Sequence, residues 1–364
     1  MPLAVLPHSG WRNGFMGFSG QALSGFRRSI CAAIIAAFTA TPAVPCAFHG
    51  YEPKPTLVER LINADQVVLA RPGAATPFRF DVTTQLRGDA PLGALPFLVD
   101  STTRRLMRLK PQAHVLFARD ADTEVWHRLA TVDAEIDPVM HDIWSALPHW
   151  QDDPAMRATY FSKLLNHPDR RLRELALREL DLAAYGTLRE LDIDVDATAL
   201  RSQLDVITEM DLRAIRILLM GFAAPSADLS AFLRDRITKG VTHDSDMLGA
   251  YALSLIALEG QGGLRWLADR HLSSPHNTYN THSAMVQALA MHFETGDSAL
   301  RETIEEILSV RVLFDLDLAY VVSLQFSAIA ANAGLEVPES ELDEDPSLEA
   351  LKAIEVSKLL PLQN

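Results

Sequence analysis

Residues 211–219, Asp-Leu-Arg-Ala-Ile-Arg-Ile-Leu-Leu, open a pattern that returns every 35 residues in the second half of the chain. Further copies start at Asp246, Thr281 and Leu316, and they align without a gap. A small residue followed by an apolar or aromatic one stands at the fourth and fifth positions of the copies: Ala214 and Ile215, Gly249 and Ala250, Ala284 and Met285, Ala319 and Tyr320. Because small residues let a neighbouring helix backbone approach, the pattern predicts stacked helices.

A turn follows each of the first three copies, at 225–226, 260–263 and 296–297, and a second amphipathic segment follows each turn. The predicted unit is therefore a helical hairpin, which buries its apolar face only when neighbours stack on it. At this register residues 154–331 resemble HEAT-like repeats, and the resemblance implies an α-solenoid. A compact helical bundle is the alternative interpretation, because bundles share the same local pattern.

The chain before this region is typical of short antiparallel strands. After a predicted helix at 56–63, which Thr56 caps with Glu59 three residues on, five strand-like runs follow: 66–71, 78–86, 95–100, 114–119 and 126–132. Turn residues at 87–89 and 110–112 separate some of these runs. The pattern predicts a small antiparallel β-barrel or sandwich.

The strand order of residues 64–117 resembles the netrin/TIMP-like OB-type barrels of secreted proteins. The runs that carry the resemblance are 64–71, 78–82, 86–88 and 115–117. The resemblance implies an OB-like module. It does not carry the inhibitory function of that family, because the family's usual cysteines are missing here.

The first segment of the chain has the order of a secretory signal peptide. Residues 1–50 contain no Asp or Glu; Arg12, Arg27 and Arg28 precede the apolar run 30–38, and small residues with prolines follow at 41–47. The apolar run is about half of the roughly 20 residues that a membrane-spanning helix needs. We expect cleavage near 43–47, a start at Met1 or Met16, a periplasmic or secreted location, and no stable membrane anchor afterwards.

The predicted fold class is multidomain, with a small β module before an all-α HEAT-like solenoid. The segments are a signal peptide (1–47), an OB-like β-rich module (48–150), a helical-repeat domain (151–335), and an acidic linker with a C-terminal capping helix (336–364). Six acids and no base stand between Glu336 and Asp345. Such a run is typical of a solvated linker, with an acidic docking strip as the alternative.

Composition excludes several classes of protein. The 364 residues are 48% hydrophobic, which excludes a wholly disordered chain. The 33 Lys and Arg against 47 Asp and Glu give a net charge of −14, which disfavours a nucleic-acid partner. Two cysteines are too few for a disulfide framework or a four-thiolate zinc site.

No catalytic, metal or cofactor motif is evident, so the sequence predicts no catalytic residue, no metal ligand and no cofactor. One polar strip suits an anionic ligand, because it combines three hydroxyls with two guanidinium groups: Ser101, Thr102, Thr103, Arg104 and Arg105. A solvated loop is the simpler interpretation of that strip.

Other polar residues are weak candidates for chemistry. His114 and His127 lie on predicted strands without a partner at motif spacing. The alternation Asp192, Asp194, Asp196 lacks the glycine and glutamate of a calcium loop. A histidine set lies at irregular spacing around a turn, which does not establish a metal site: His271, His276, His282 and His292.

The function predicted from the sequence is that of an exported adaptor, which binds a protein or peptide through its helical-repeat surface. Its acidic surplus predicts a basic partner and binding that weakens with salt. Two alternatives stay open: an enzyme of unrecognised class with its site at the junction of β and α regions, and a small anionic-ligand binder.

Overall fold

The computed structural model describes residues 54–89, 94–243, 245, 247–272, 274, 277–296, 298–312, 315–326 and 329. These residues fall within one of the two compact units of the chain, 45–364. The predicted signal peptide and the acidic segment 336–364 lie outside the described residues.

A four-stranded antiparallel sheet forms the first part of the described chain. Its strands are β1 (Ala64–Pro72), β2 (Phe80–Arg87), β3 (His114–Asp120) and β4 (Trp126–Val132). Their order in the sheet is β2-β1-β3-β4, so β2 and β4 are the edge strands. On β3 and β4, Val115 lies opposite Thr131 and Ala118 opposite His127, with an irregularity after Leu116.

Helices make up most of the remaining described chain. Two of them flank the strands in sequence: α1 (Leu57–Ile62) and α2 (Ser101–Leu109). The next group is α3 (Asp137–Trp150), α4 (Pro154–Ser162), α5 (Arg170–Asp181), α6 (Tyr185–Glu190) and α7 (Ala197–Ser202). The last group is α8 (Arg213–Met220), α9 (Ala227–His243), α10 (Leu248–Glu259), α11 (Gln261–Leu267), α12 (Tyr279–Thr295), α13 (Ser298–Arg311) and α14 (Leu316–Gln325).

The coarse prediction of a β region followed by a helical region is confirmed, and so is the cap of the first helix. The Thr56 hydroxyl accepts the Glu59 backbone N–H at 3.3 Å, and the Glu59 carboxylate accepts that of Thr56 at 3.0 Å. At the start of α4, Asp153 accepts the Met156 N–H at 2.9 Å ahead of Pro154. Both helices begin where side-chain oxygens satisfy free backbone donors.

Three details of the sequence prediction differ from the structure. Residues 95–100 do not form a fifth strand: the run makes an isolated bridge between Arg79 and Leu98, and Asp100 then caps α2 by accepting the Thr103 N–H at 2.7 Å. The strip Ser101–Arg105 is therefore helical and not a loop, because the Asp100 carboxylate nucleates a helix there. The helix α3 also lies within the predicted β module, and no pattern had indicated it.

The two central strands, β1 and β3, are covered on both faces, whereas most of β2 is exposed. One face packs with Val58, Ile143 and the later helices in a large hydrophobic cluster that continues to Ile329. The other face packs with Val99 and Met107 in a smaller cluster. Because the larger cluster includes both sheet and helix residues, α1 packs against the strands and α3 shares one core with them.

The 35-residue pattern corresponds to helices that contact one another in order. α8 contacts α10, α10 contacts α12, and α12 contacts α14. At the repeated small position, a Cβ added to Gly249 would lie 3.3 Å from the backbone oxygen of Ala284. The small residues therefore sit where two repeated helices approach most closely, as the spacing predicted.

Two of these helices are enclosed on all sides. Residues 214–221 at α8 and 248–256 in α10 are all buried. The buried range of α10 holds no charged residue, which suits an interior helix, whereas α8 buries Arg216 as an ion pair with Glu209. None of the helices in the described part of the chain is long and apolar enough to cross a bilayer.

Candidate ligand-binding pocket

The polar strip predicted at Ser101–Arg105 is engaged mainly in local structure. The Thr103 hydroxyl donates to Asp100 at 2.7 Å and accepts from Arg128 at 2.7 Å, and Thr103 is buried. The guanidinium of Arg104 lies 4.6 Å from the ring centre of Phe78. Ser101, Thr102 and Arg105 are exposed on the first turns of α2. The structure does not bring these five residues into the pocket described below.

The histidines singled out in the sequence do not converge. His292 is buried, and its Nε2 lies 3.1 Å from the Leu253 carbonyl and 3.2 Å from the Tyr185 hydroxyl. His282 contacts the Asn277 amide at 3.0 Å. His271 lies edge-on to a tryptophan ring, and His276 is outside the described residues. Within the described ranges no three His, Cys, Asp or Glu side chains group to hold a metal.

The aspartate alternation has structural roles. Asp194 accepts the Asn166 side-chain amide at 3.1 Å, and Asp196 caps α7 by accepting the Ala199 N–H at 3.0 Å. Both line a cavity of about 540 Å³ with Arg173. This cavity holds two acids and one base, so its charge does not select a ligand of one sign.

A second cavity, of about 410 Å³, lies where β4 meets α1, α3 and α5; we call it the junction pocket. Its cationic lining residues are Lys54, Arg60, Arg128, Arg171 and Arg178, and Glu174 is the acidic one. Its apolar lining residues are Pro55, Leu57, Leu129, Ala130, Ile136, Met140, Leu172 and Leu175, and the hydroxyls of Thr56 and Thr131 complete it. The pocket thus combines apolar walls with positive charge in a chain of net charge −14.

Three of the five cations already have carboxylate partners. Arg128 pairs with Asp100 at 2.9 Å, Arg171 with Asp133 at 2.9 Å and Arg178 with Asp211 at 2.6 Å. Burial raises the pKa of Asp211, but the hydrogen bond and charge of Arg178 outweigh it and lower that pKa, helped by the charge of Lys54. These carboxylates stay ionised and fix the three guanidinium groups in place.

Lys54 and Arg60 remain uncommitted. Neither makes an ion pair or a side-chain hydrogen bond with any residue that the structure describes. Arg60 is partly buried at the end of α1, whereas Lys54 is exposed at the mouth of the pocket. The charge of Arg60 also reaches β4: burial is the main cause that lowers the pKa of His127, and the charge of Arg60 lowers it further. Two cations are therefore available beside the apolar wall.

The helix α5 positions the opposite wall through its own N-terminus. Asp169 accepts the Arg171 N–H at 2.8 Å as the N-cap, and Arg171 then reaches Asp133 at the end of β4. Burial raises the pKa of Asp133, but hydrogen bonds from Arg171 and Lys110 outweigh it and keep that pKa well below its usual range. An ionised, buried Asp133 therefore ties the sheet to α5 across the pocket.

The sequence left a site at the junction of the β and α regions open as an alternative, but it did not identify the residues of this pocket, although part of their signal is local. Arg171, Glu174, Leu175 and Arg178 recur at three- and four-residue steps, which places them on one face of α5. The pocket forms only because that face of α5 packs beside Arg60 and β4, and this long-range contact leaves no local pattern in the sequence. Met140 of α3 also lines the pocket, and no sequence pattern predicts that helix.

Comparisons with known proteins do not identify a family for this chain. No protein-family model matches the chain, and neither the curated proteins nor the solved structures contain a match.

Proposed function

We propose that this protein is a non-catalytic binding protein that captures a ligand with an anionic group and an apolar part in the junction pocket. The observation that carries the proposal is the pair of uncommitted cations, Lys54 and Arg60, beside the apolar residues Leu57 and Leu175. A carboxylate or phosphate pairs with a guanidinium through charge-assisted hydrogen bonds, while its apolar part leaves water.

The lining favours binding over chemistry. Its hydroxyl groups are those of Thr56 and Thr131, and the Thr56 hydroxyl already accepts hydrogen bonds from Glu59 and from Arg157. A nucleophile needs a base within hydrogen-bond reach, and the one carboxylate of the lining, Glu174, already pairs with Arg170. A pocket of a few hundred Å³ with a few placed charges is the usual form of a small-molecule or side-chain site.

The rest of the chain fits this proposal as a scaffold. The contacts of α8, α10, α12 and α14 at 35-residue spacing support a HEAT-like stack, and the strand order supports an OB-like origin of the sheet. The N-terminal pattern of residues 1–47 supports a periplasmic or secreted location for this function. Ligand capture is assigned to the junction pocket and not to the inner helices, since 214–221 and 248–256 are buried.

Isothermal titration calorimetry of the full chain with octanoate tests the proposal. Octanoate supplies one carboxylate and one apolar chain. We expect Arg60→Ala to weaken binding about tenfold, which is the size of one lost charge-assisted hydrogen bond. Arg105→Ala removes an exposed guanidinium from α2 and is the matched control, so its affinity should equal that of the wild type. Equal loss in both variants, or no octanoate binding, would contradict the proposal.

A further inference from the structure

The junction pocket runs along an open edge of the sheet. β4 is the last strand in the order β2-β1-β3-β4, and its four consecutive residues 128–131 line the pocket. Successive residues of a strand point to opposite faces. A cavity that touches four in a row therefore reaches the edge of the strand and not one face alone.

The backbone groups on that edge have no partner among the residues that the structure describes. In the part of the chain that the structure describes, the backbone hydrogen bonds of residues 126–132 run to β3 and to no other segment. An edge strand with unpaired N–H and C=O groups accepts a further strand. Recognition by strand addition uses main-chain hydrogen bonds for affinity and nearby pockets for side-chain selection.

Charge distinguishes this edge from the other one. The cavity of about 440 Å³ along β2 is lined by one cation, Arg79, and one acid, Asp81. The junction pocket beside β4 is lined by five cations and one acid, and Lys54 and Arg60 are uncommitted. Only the β4 edge therefore selects for a negatively charged strand.

We propose that the ligand of the junction pocket is an extended acidic peptide segment of a partner protein, which adds to β4 as a fifth strand. This inference rests on the proposed function and narrows its ligand class. Side chains at alternate positions of the added strand lie on the same face. Two acidic residues separated by one residue can therefore both face Lys54 and Arg60. Apolar residues between them suit a strand and add no competing charge.

The test uses the full chain and the peptide acetyl-Thr-Val-Glu-Val-Asp-Val-Thr-amide. A matched peptide carries N-methyl groups on the amides of its three valines, its Glu and its Asp, which removes main-chain donors on both edges of the added strand and keeps every charge. We expect the unmodified peptide to bind at least about tenfold more tightly, because several hydrogen bonds are lost on methylation. A second matched peptide with Lys in place of Glu and Asp should bind at least about tenfold more weakly than the unmodified peptide.

Hydrogen exchange locates the bound peptide. We expect the amides of residues 126–132 to gain protection on binding and those of β2, 80–87, to stay unchanged. Protection at β2 instead, or equal affinity for the unmodified and N-methylated peptides, would overturn the inference. If octanoate still binds and depends on Arg60 in that case, the proposed function stands without strand addition. If octanoate and all peptides fail to bind, both proposals fail.

Discussion

The Nε of Arg157 in α4 donates a 2.8 Å hydrogen bond to Oε2 of Glu179 in α5, and Glu179 is shielded from water. The second Glu179 oxygen accepts the Val58 backbone N–H at 3.2 Å, and Arg157 also donates to the Thr56 hydroxyl at 2.8 Å. This pair therefore holds the first turn of α1 against α4 and α5. Since α1 carries Leu57 and Arg60, the wall of the junction pocket depends on it.

Loss of Arg157 should destabilise the protein strongly. Arg157→Ala leaves the Glu179 carboxylate buried without its cation, a change that costs about 3 kcal/mol or more in the free energy of unfolding. Urea denaturation measures this value. The exposed pair Lys239 and Asp235 supplies the control, because Lys239→Ala should cost less than about 1 kcal/mol. Similar losses in the two variants would contradict the structural role given to Arg157.

The close approach of α10 and α12 predicts a steric effect at Gly249. Gly249→Val places a branched side chain against the Ala284 backbone oxygen, which an added Cβ alone would approach to 3.3 Å. Overpacking of this kind costs about 1–3 kcal/mol in stability. The control is Gly262→Ala in α11, where an added Cβ meets nothing within 4 Å and should not destabilise. Thermal denaturation compares both variants with the wild type.

His292 predicts a fall in stability under acid. Burial is the main cause that lowers its pKa from 6.5 to about 4. Between these two values the unfolded chain binds more protons than the folded one, so the stability is present above pH 6.5 and is lost as the pH falls toward 4. The full effect is about 3 kcal/mol, since each pKa unit corresponds to about 1.4 kcal/mol.

Urea denaturation from pH 4 to 7 checks this prediction. His292→Gln removes the titrating ring, so its stability should change less than that of the wild type across the window. His141→Gln alters an exposed histidine and serves as the control. A wild-type profile that matches His292→Gln at every pH would show that the burial of His292 does not govern the acid response.

Export predicts a defined mature N-terminus. When the full chain is expressed in a bacterium with a periplasm, we expect signal cleavage after Ala43 or Cys46, because small residues stand at the positions that signal peptidase reads. Mass spectrometry of the periplasmic fraction should find a chain that begins at Val44 or Ala47. Recovery of an uncleaved chain in the cytoplasm would contradict the predicted location.

Short-range sequence patterns predicted many of the helices and strands, whereas the residues of the junction pocket are brought together by packing between distant segments. Thr56 with Glu59 and Asp153 with Pro154 identify helix starts because a cap is a contact over three residues. The 35-residue spacing identified the helices that contact one another, since each needs its neighbour to bury its apolar face. Residues 95–100 misled the prediction, because their apolar character suits a strand while Asp100 begins a helix.

The junction pocket shows the limit of that reasoning. Arg60, Arg128 and Arg171 are far apart in sequence and come together where β4 meets α1 and α5. The net charge of the chain predicts the opposite kind of partner, because a surplus of acids favours a basic partner and the pocket is lined mostly by cations. The distribution of charge in space, and not its total, gives the pocket its sign.

The most direct measurement is a crystal structure of the full chain with octanoate. We expect the octanoate carboxylate within hydrogen-bond distance of Arg60 or Lys54, with the alkyl chain against Leu57 and Leu175. An octanoate bound at Ser101–Arg105, or a junction pocket without octanoate at saturating concentration, would contradict it.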